Sequence, residues 1–179
     1  MAEQTPNTHN EKIVEQYFKL IRELRSGKAA AVEELTALWD PDGVFEFAGA
    51  PPVTGTFKGK VAIQTLYSNR VKATGMPLKL EAKAAHQEAA LGTVDTQVHK
   101  TRTMDENRVV AGWTTTIGTK EGLGFQVAGS HAFTFRDGKI SSLKVVISPK
   151  HEEAANLKAA TLSVNDIGRL ALAAWPVVA

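Results

Sequence analysis

Apolar positions recur at helical spacing through Val14, Tyr17, Phe18, Ile21 and Leu24, and Thr8 followed three residues later by Glu11 has the form of a capping box. A first helix is therefore expected to run to about Leu24 and to break at Ser26-Gly27. Val32, Leu35, Leu38 and Trp39 make a second helical stripe, stopped where Asp40-Pro41-Asp42-Gly43 combines a proline with a turn glycine. These two helices are expected to form an antiparallel pair. Val44-Phe45-Glu46-Phe47 alternates with period two and predicts a short strand, and the turn-rich return from Gly49 to Gly55 leads to a third helix over about 60–74. Gly75 and Pro77 end that helix. From Leu78 to Ser148 the period becomes two, predicting strands near 78–87, 92–104, 107–119, 123–136 and 139–148.

The last two strands allow a test of register. Phe125, Val127, His131, Phe133 and Phe135 share one face, and Leu143, Val145 and Ile147 share one face of the partner. The two sets oppose each other only if one residue is added to a two-residue loop, which places a bulged turn at Arg136-Asp137-Gly138 with Gly138 left-handed. Beyond Pro149 the composition is again helical: Ser163 and Asp166 precede an apolar segment with Ile167, Leu170, Leu172 and Trp175. At about a dozen residues it is shorter than the ~20 of a membrane span, so it is expected to pack on this domain or on a partner subunit. Helices followed by a long antiparallel sheet make an α+β order in which the sheet curls over the helices. The chain divides into a polar tail over 1–9, a domain over 10–148 and a helical extension over 149–179.

Four stretches carry a resemblance beyond pattern: Ile13-Val14-Glu15-Gln16-Tyr17, then Trp39-Asp40-Pro41-Asp42-Gly43-Val44-Phe45, then Gly55-Thr56-Phe57-Lys58-Gly59-Lys60-Val61-Ala62-Ile63, and finally Phe133-Thr134-Phe135-Arg136-Asp137-Gly138-Lys139-Ile140. In this order the chain resembles the nuclear transport factor 2-like superfamily, in its SnoaL-like or ketosteroid isomerase-like branch, over residues 10–148. The resemblance implies a cone-shaped, cystatin-like α+β barrel whose sheet encloses a cavity. It also implies a homodimer. The fold hosts isomerases, dehydratases, cyclases, epoxide hydrolases and plain binding proteins, so it names no reaction.

Composition removes several alternatives. The 179 residues suit one domain, and 43% hydrophobic with 22% charged residues is an ordinary globular balance. With 21 basic against 19 acidic residues and no basic run interleaved with aromatics, a nucleic-acid surface has no support. The absence of cysteine excludes disulfides and thiolate chemistry. The polar start lacks the apolar stretch of a signal peptide, which makes the cytoplasm the expected compartment. Gly55 to Val61 lacks a spacer residue and the final Ser or Thr of a phosphate loop, and His151-Glu152-Glu153-Ala154-Ala155 lacks the second histidine of a zinc helix. No metal or cofactor is expected.

By the resemblance, Tyr17 stands where isomerases of this branch carry a tyrosine donor and His131 where they carry a second, acidic donor. Such a pair serves a reaction in which a base moves a proton while two donors hold a dienolate oxygen. Each residue also has a plain reading: Tyr17 is in phase with core positions Val14 and Ile21, and an inward histidine can be satisfied by a backbone carbonyl. Phe47 occupies the position of the catalytic aspartate and cannot accept a proton, which counts against ketosteroid isomerisation itself. Glu46 should face away from Phe45 and Phe47 by alternation, and Asp40 and Asp42 read as turn residues. Val145 stands where the epoxide hydrolases are acidic, and His99 or His86 could partner His131 as in the dehydratases. Trp39, Phe45, Phe47, Trp113, Phe125, Val127, Phe133 and Leu143 are the expected lining of an apolar pocket for a small hydrophobic or polycyclic ligand. The resulting expectation is a cofactor-independent isomerase, dehydratase or polyketide cyclase, or a non-catalytic binding protein of the same fold.

Overall fold

A computed structural model describes residues 6–48, 55–73, 91–99, 101–119 and 124–147. The elements in order are α1 (Pro6–Arg25), α2 (Ala30–Ala37), β1 (Trp39–Ala48), β2 (Gly55–Lys58), α3 (Lys60–Ala73), β3 (Leu91–Val98), β4 (Arg102–Asp105), β5 (Arg108–Thr119), β6 (Gly124–Arg136) and β7 (Lys139–Ile147). The strands form one curved, open sheet in the order β2-β1-β7-β6-β5-β3, with β4 also paired to β5. This is the expected α+β cone. The long meander is antiparallel, but β1 pairs with β7 in parallel, so the sheet is mixed. Side-chain alternation does not register strand direction, because either direction presents the same faces.

The helices cover the face of the sheet to which the alternating large residues point. Val14, Tyr17, Phe18, Ile21 and Leu24 of α1, Leu35 of α2, and Ile63, Leu66 and Tyr67 of α3 are buried against Phe45, Phe47, Val109, Trp113, Phe133, Leu143 and Val145 of the sheet. Each large apolar side chain so buried contributes about 1.5–3 kcal/mol, which makes this layer the principal source of stability. The outer face carries the intervening polar residues. Glu46 lies there, as alternation requires, and pairs with Lys144 at 3.3 Å.

Four local expectations change. The first helix begins at Pro6, inside the stretch read as a tail, so Thr8 lies within the helix rather than capping it. Glu11 instead accepts a hydrogen bond from the Thr103 hydroxyl at 2.6 Å, which ties α1 to β4. The second helix stops at Ala37, and Trp39 through Gly43 belong to β1, with a register shift between Trp39 and Val44. That irregular strand is held from both sides: Ile140 N–H donates to the Leu38 carbonyl at 2.9 Å, and the Asp40 carboxylate accepts the Asp42 N–H. The single strand read near 92–104 is two, β3 and β4, and a further strand, β2, pairs with β1 between the return that ends at Gly55 and α3.

The final hairpin keeps its register and moves its bulge. Phe133 does oppose Leu143, and His131 opposes Val145. Arg136 pairs with Lys139, leaving a two-residue turn in which Asp137 (φ 50°) and Gly138 (φ 70°) are both left-handed. Two positive φ values match the right-handed twist of the flanking strands. The extra residue is Ser141, between Ser142 opposite Thr134 and Ile140 opposite Phe135, and its hydroxyl donates to the Thr134 carbonyl at 3.1 Å. The strand read at 78–87 and the helical extension after 149 lie outside the described residues.

Candidate functional site

Tyr17 and His131 come from α1 and β6, more than a hundred residues apart, and meet in the interior of the cone. Their ring centroids are 5.8 Å apart, with Tyr17 fully buried and His131 1% exposed. The histidine sits in an aromatic box: Phe18 at 5.0 Å, Phe133 at 5.8 Å in a stacked arrangement and Trp113 at 6.2 Å edge-on. Period two on β6 aims both His131 and Phe133 inward, while antiparallel pairing of Ala111 with His131 places a small residue alongside on β5, leaving room for the imidazole.

A residue not singled out from the pattern completes this cluster. Tyr67 on α3 accepts the Trp39 indole N–H at 3.1 Å and interacts electrostatically with the Tyr17 hydroxyl. All three side chains are buried, and burial pushes the Tyr67 phenol well above its ordinary range, an effect that Tyr17 and Trp39 partly offset. Tyr67 therefore stays neutral and serves as the hydrogen-bond acceptor of Trp39. In the sequence Tyr67 is visible only as a member of the α3 apolar stripe with Ile63 and Leu66. Nothing in a stripe distinguishes a phenol that packs from one that positions another.

Of the expected lining, Trp39, Phe45, Phe47, Trp113, Phe133 and Leu143 are packed in one hydrophobic core. Phe125 and Val127 lie on β6, their backbones paired with Ile117 and Thr115, and their side chains lie outside the described set. Phe47, at 2% exposure, offers no group to accept a proton, and its neighbours Phe45 and Val145 are equally buried. Asp40 is a structural residue: its carboxylate accepts two hydrogen bonds from Arg136, at 2.6 and 3.0 Å, and one from the Asp42 N–H. The Arg136 hydrogen bond, then the one from Asp42, holds its carboxyl below the usual carboxylate range.

An open cleft of about 390 Å³ lies beside this cluster, between α1 and the end of β3 with the residues after it. Its described lining is Val14, Glu15, Phe18, Arg22, Val98, His99 and Thr101. Phe18 is common to both compartments, since its ring contacts Tyr17 at 5.5 Å and His131 at 5.0 Å on one side and lines the cleft on the other. His99 is oriented by a 2.8 Å hydrogen bond between its Nε2 and the Thr114 hydroxyl. His86 lies outside the described residues. Among the described residues no group of three or more histidine or acidic side chains could hold a metal ion, and no helix is long and apolar enough to cross a membrane.

Three helices on a curved mixed sheet, with an apolar cone interior and a cleft at its side, define a nuclear transport factor 2-like domain. The chain belongs to the SnoaL-like domain family, whose model matches residues 14–143. Among solved structures it is similar to a putative isomerase from Bacillus subtilis, with 24% identity over 82% of this chain and 94% of that one and a TM-score of 0.51. It is also similar to an LEH-like epoxide hydrolase from M. tuberculosis (15% identity, 86% and 92% covered, TM-score 0.55) and to an NTF2-like protein of unknown function from Cytophaga hutchinsonii (15%, 79% and 97%, TM-score 0.51). At these identities the likeness is one of fold. No curated protein matches the chain.

Proposed function

We propose that the protein is a cofactor-independent enzyme of the isomerase, dehydratase or polyketide-cyclase kind, acting on a small hydrophobic or polycyclic carbonyl compound. The observation that carries this reading is the meeting of Tyr17 and His131 in an apolar interior, one aromatic ring away from an open cleft. In this reading the Tyr17 hydroxyl donates to the oxygen on which charge develops, and His131 is the second donor or moves the proton. Tyr67, itself held by Trp39, positions Tyr17. A low-dielectric setting strengthens such donors and keeps water from competing with the substrate. Substrate entering from the cleft displaces the Phe18 ring. The reading includes a cytoplasmic homodimer, which light scattering would test.

The test is titration of a rigid fluorescent phenol, a mimic of a dienolate, into wild type, Tyr17→Phe and His131→Ala at several pH values. Each missing donor should weaken binding by about 1–3 kcal/mol, the usual consequence of leaving a buried polar partner unsatisfied. Binding indifferent to both substitutions would remove the pair from the mechanism. A second reading, a binding protein without chemistry, is favoured by the burial of the pair behind Phe18 and by Phe47 in the place of a base. A ligand co-purified with the protein and recovered chemically unchanged after prolonged incubation would support it; measurable product would exclude it.

A further inference from the structure

The cleft carries charges that the Tyr17–His131 pair does not use. Glu15, Phe18 and Arg22 follow one another along α1 at i, i+3 and i+7, so a single stripe presents a carboxylate, a ring and a guanidinium in that order. Two helical turns, about 10 Å, separate Glu15 from Arg22, which keeps the two charges from neutralising each other. Among the described residues Lys28 is paired with Glu23, Arg108 with Asp105 and Arg136 with Asp40. Arg22 makes no ion pair among the described residues. Between the charged ends the cleft is walled by Val14 and Phe18 on one side and Val98 on the other.

We propose that the cleft binds a hydrophobic carboxylic acid, with its carboxylate on Arg22 and its apolar body between Phe18 and Val98. The inference rests on the small-molecule reading above and specifies its substrate class. A guanidinium is a permanent cation whose planar fork matches a carboxylate in two parallel hydrogen bonds, so it fixes orientation as well as charge. Glu15 at the opposite end repels a second anion and accepts a hydrogen bond from a hydroxyl or amine, which selects a monoacid and sets its direction. The volume of about 390 Å³ lies at the lower end of ordinary ligand pockets, ~300–1,000 Å³, and suits a bicyclic acid. A body so placed lies against Phe18, the ring that also contacts His131.

Two probes of one shape separate charge from apolar burial: 2-naphthoate and its neutral counterpart 2-naphthalenemethanol, titrated calorimetrically into the full chain. Wild type should bind the acid about tenfold more tightly than the alcohol, as expected of a charge-assisted pair in a partly closed site. Arg22→Gln should abolish that ratio without changing affinity for the alcohol, and Glu15→Gln should tighten the acid severalfold. Added salt should weaken only the acid. Equal affinities for acid and alcohol, an Arg22→Gln variant that keeps the ratio, or no binding of either probe at millimolar concentration would each overturn the proposal. Tyr17→Phe and His131→Ala should leave the ratio unchanged. Failure of the phenol titration with an intact Arg22 dependence therefore refutes the catalytic pair alone, and the converse refutes the anion site alone.

Discussion

Replacing Tyr67 by phenylalanine removes one oxygen and leaves ring packing in place, so its consequences can be worked from the hydrogen bonds alone. The Tyr67 hydroxyl accepts the Trp39 indole N–H at 3.1 Å and interacts with Tyr17, and Trp39 is 1% exposed while both tyrosines are fully buried. No water reaches the indole to replace the lost acceptor. A buried donor left unsatisfied costs about 1–3 kcal/mol, and removing the hydroxyl's own desolvation offsets part of it. A net destabilisation of about 1–3 kcal/mol is expected, which in a chain of this size lowers Tm by roughly 2–12 °C. Urea unfolding followed by tryptophan fluorescence should show a lower midpoint at unchanged m. The decisive measurement is a double-mutant cycle with Trp39→Phe: the two changes should couple by about 1 kcal/mol, because either one alone breaks the same bond. A Tyr67→Phe protein that unfolds at the wild-type midpoint, or a cycle with no coupling, would refute the network. The same variant should weaken phenol binding, since Tyr17 then loses the partner that orients it.

Other expectations concern the frame around the site. Because the folded pKa of Asp40 lies below its ordinary value, its contribution to stability is complete above the unfolded carboxylate range, near 4, and disappears as pH falls through the folded value; Asp40→Asn should lower the urea midpoint at neutral pH and converge on wild type in strong acid. A Cβ at Gly129 would collide with the Val146 carbonyl and the Trp113 ring, so Gly129→Ala should cost upwards of ~2 kcal/mol and disturb near-ultraviolet dichroism, whereas Gly112→Ala, whose nearest neighbour is His99 at 3.8 Å, should be tolerated. Gly138→Ala forces a side chain to φ 70° at the turn and toward His9, and should destabilise by about 1 kcal/mol in thermal melts, while Asp137→Asn should be neutral or slightly stabilising.

What was legible in the sequence was whatever depends on period and local punctuation. The α1 and α3 stripes, the inward parity of His131 and Phe133, the outward turn of Glu46, and the opposition of Phe133 to Leu143 all follow from side chains alternating or recurring along one element. The aromatic and family-like stretches placed Tyr17 and His131 on elements that do face each other. Where the hairpin's extra residue sits was not legible, since a bulge at Ser141 and one at the turn give the same parity. Only the tertiary structure decided that Trp39 begins a strand, because a parallel β7 and the Asp40–Arg136 pair hold Pro41 to Gly43 in an irregular extended path. It also decided that Tyr67 accepts the Trp39 indole N–H, and that Phe18 divides a buried aromatic cluster from a charged cleft. A hydrophobic pattern states which face of an element turns inward. Which inward side chains touch, and where a cavity remains between them, depends on how separate elements cross and pack, and that is set by the sum of contacts across the whole domain.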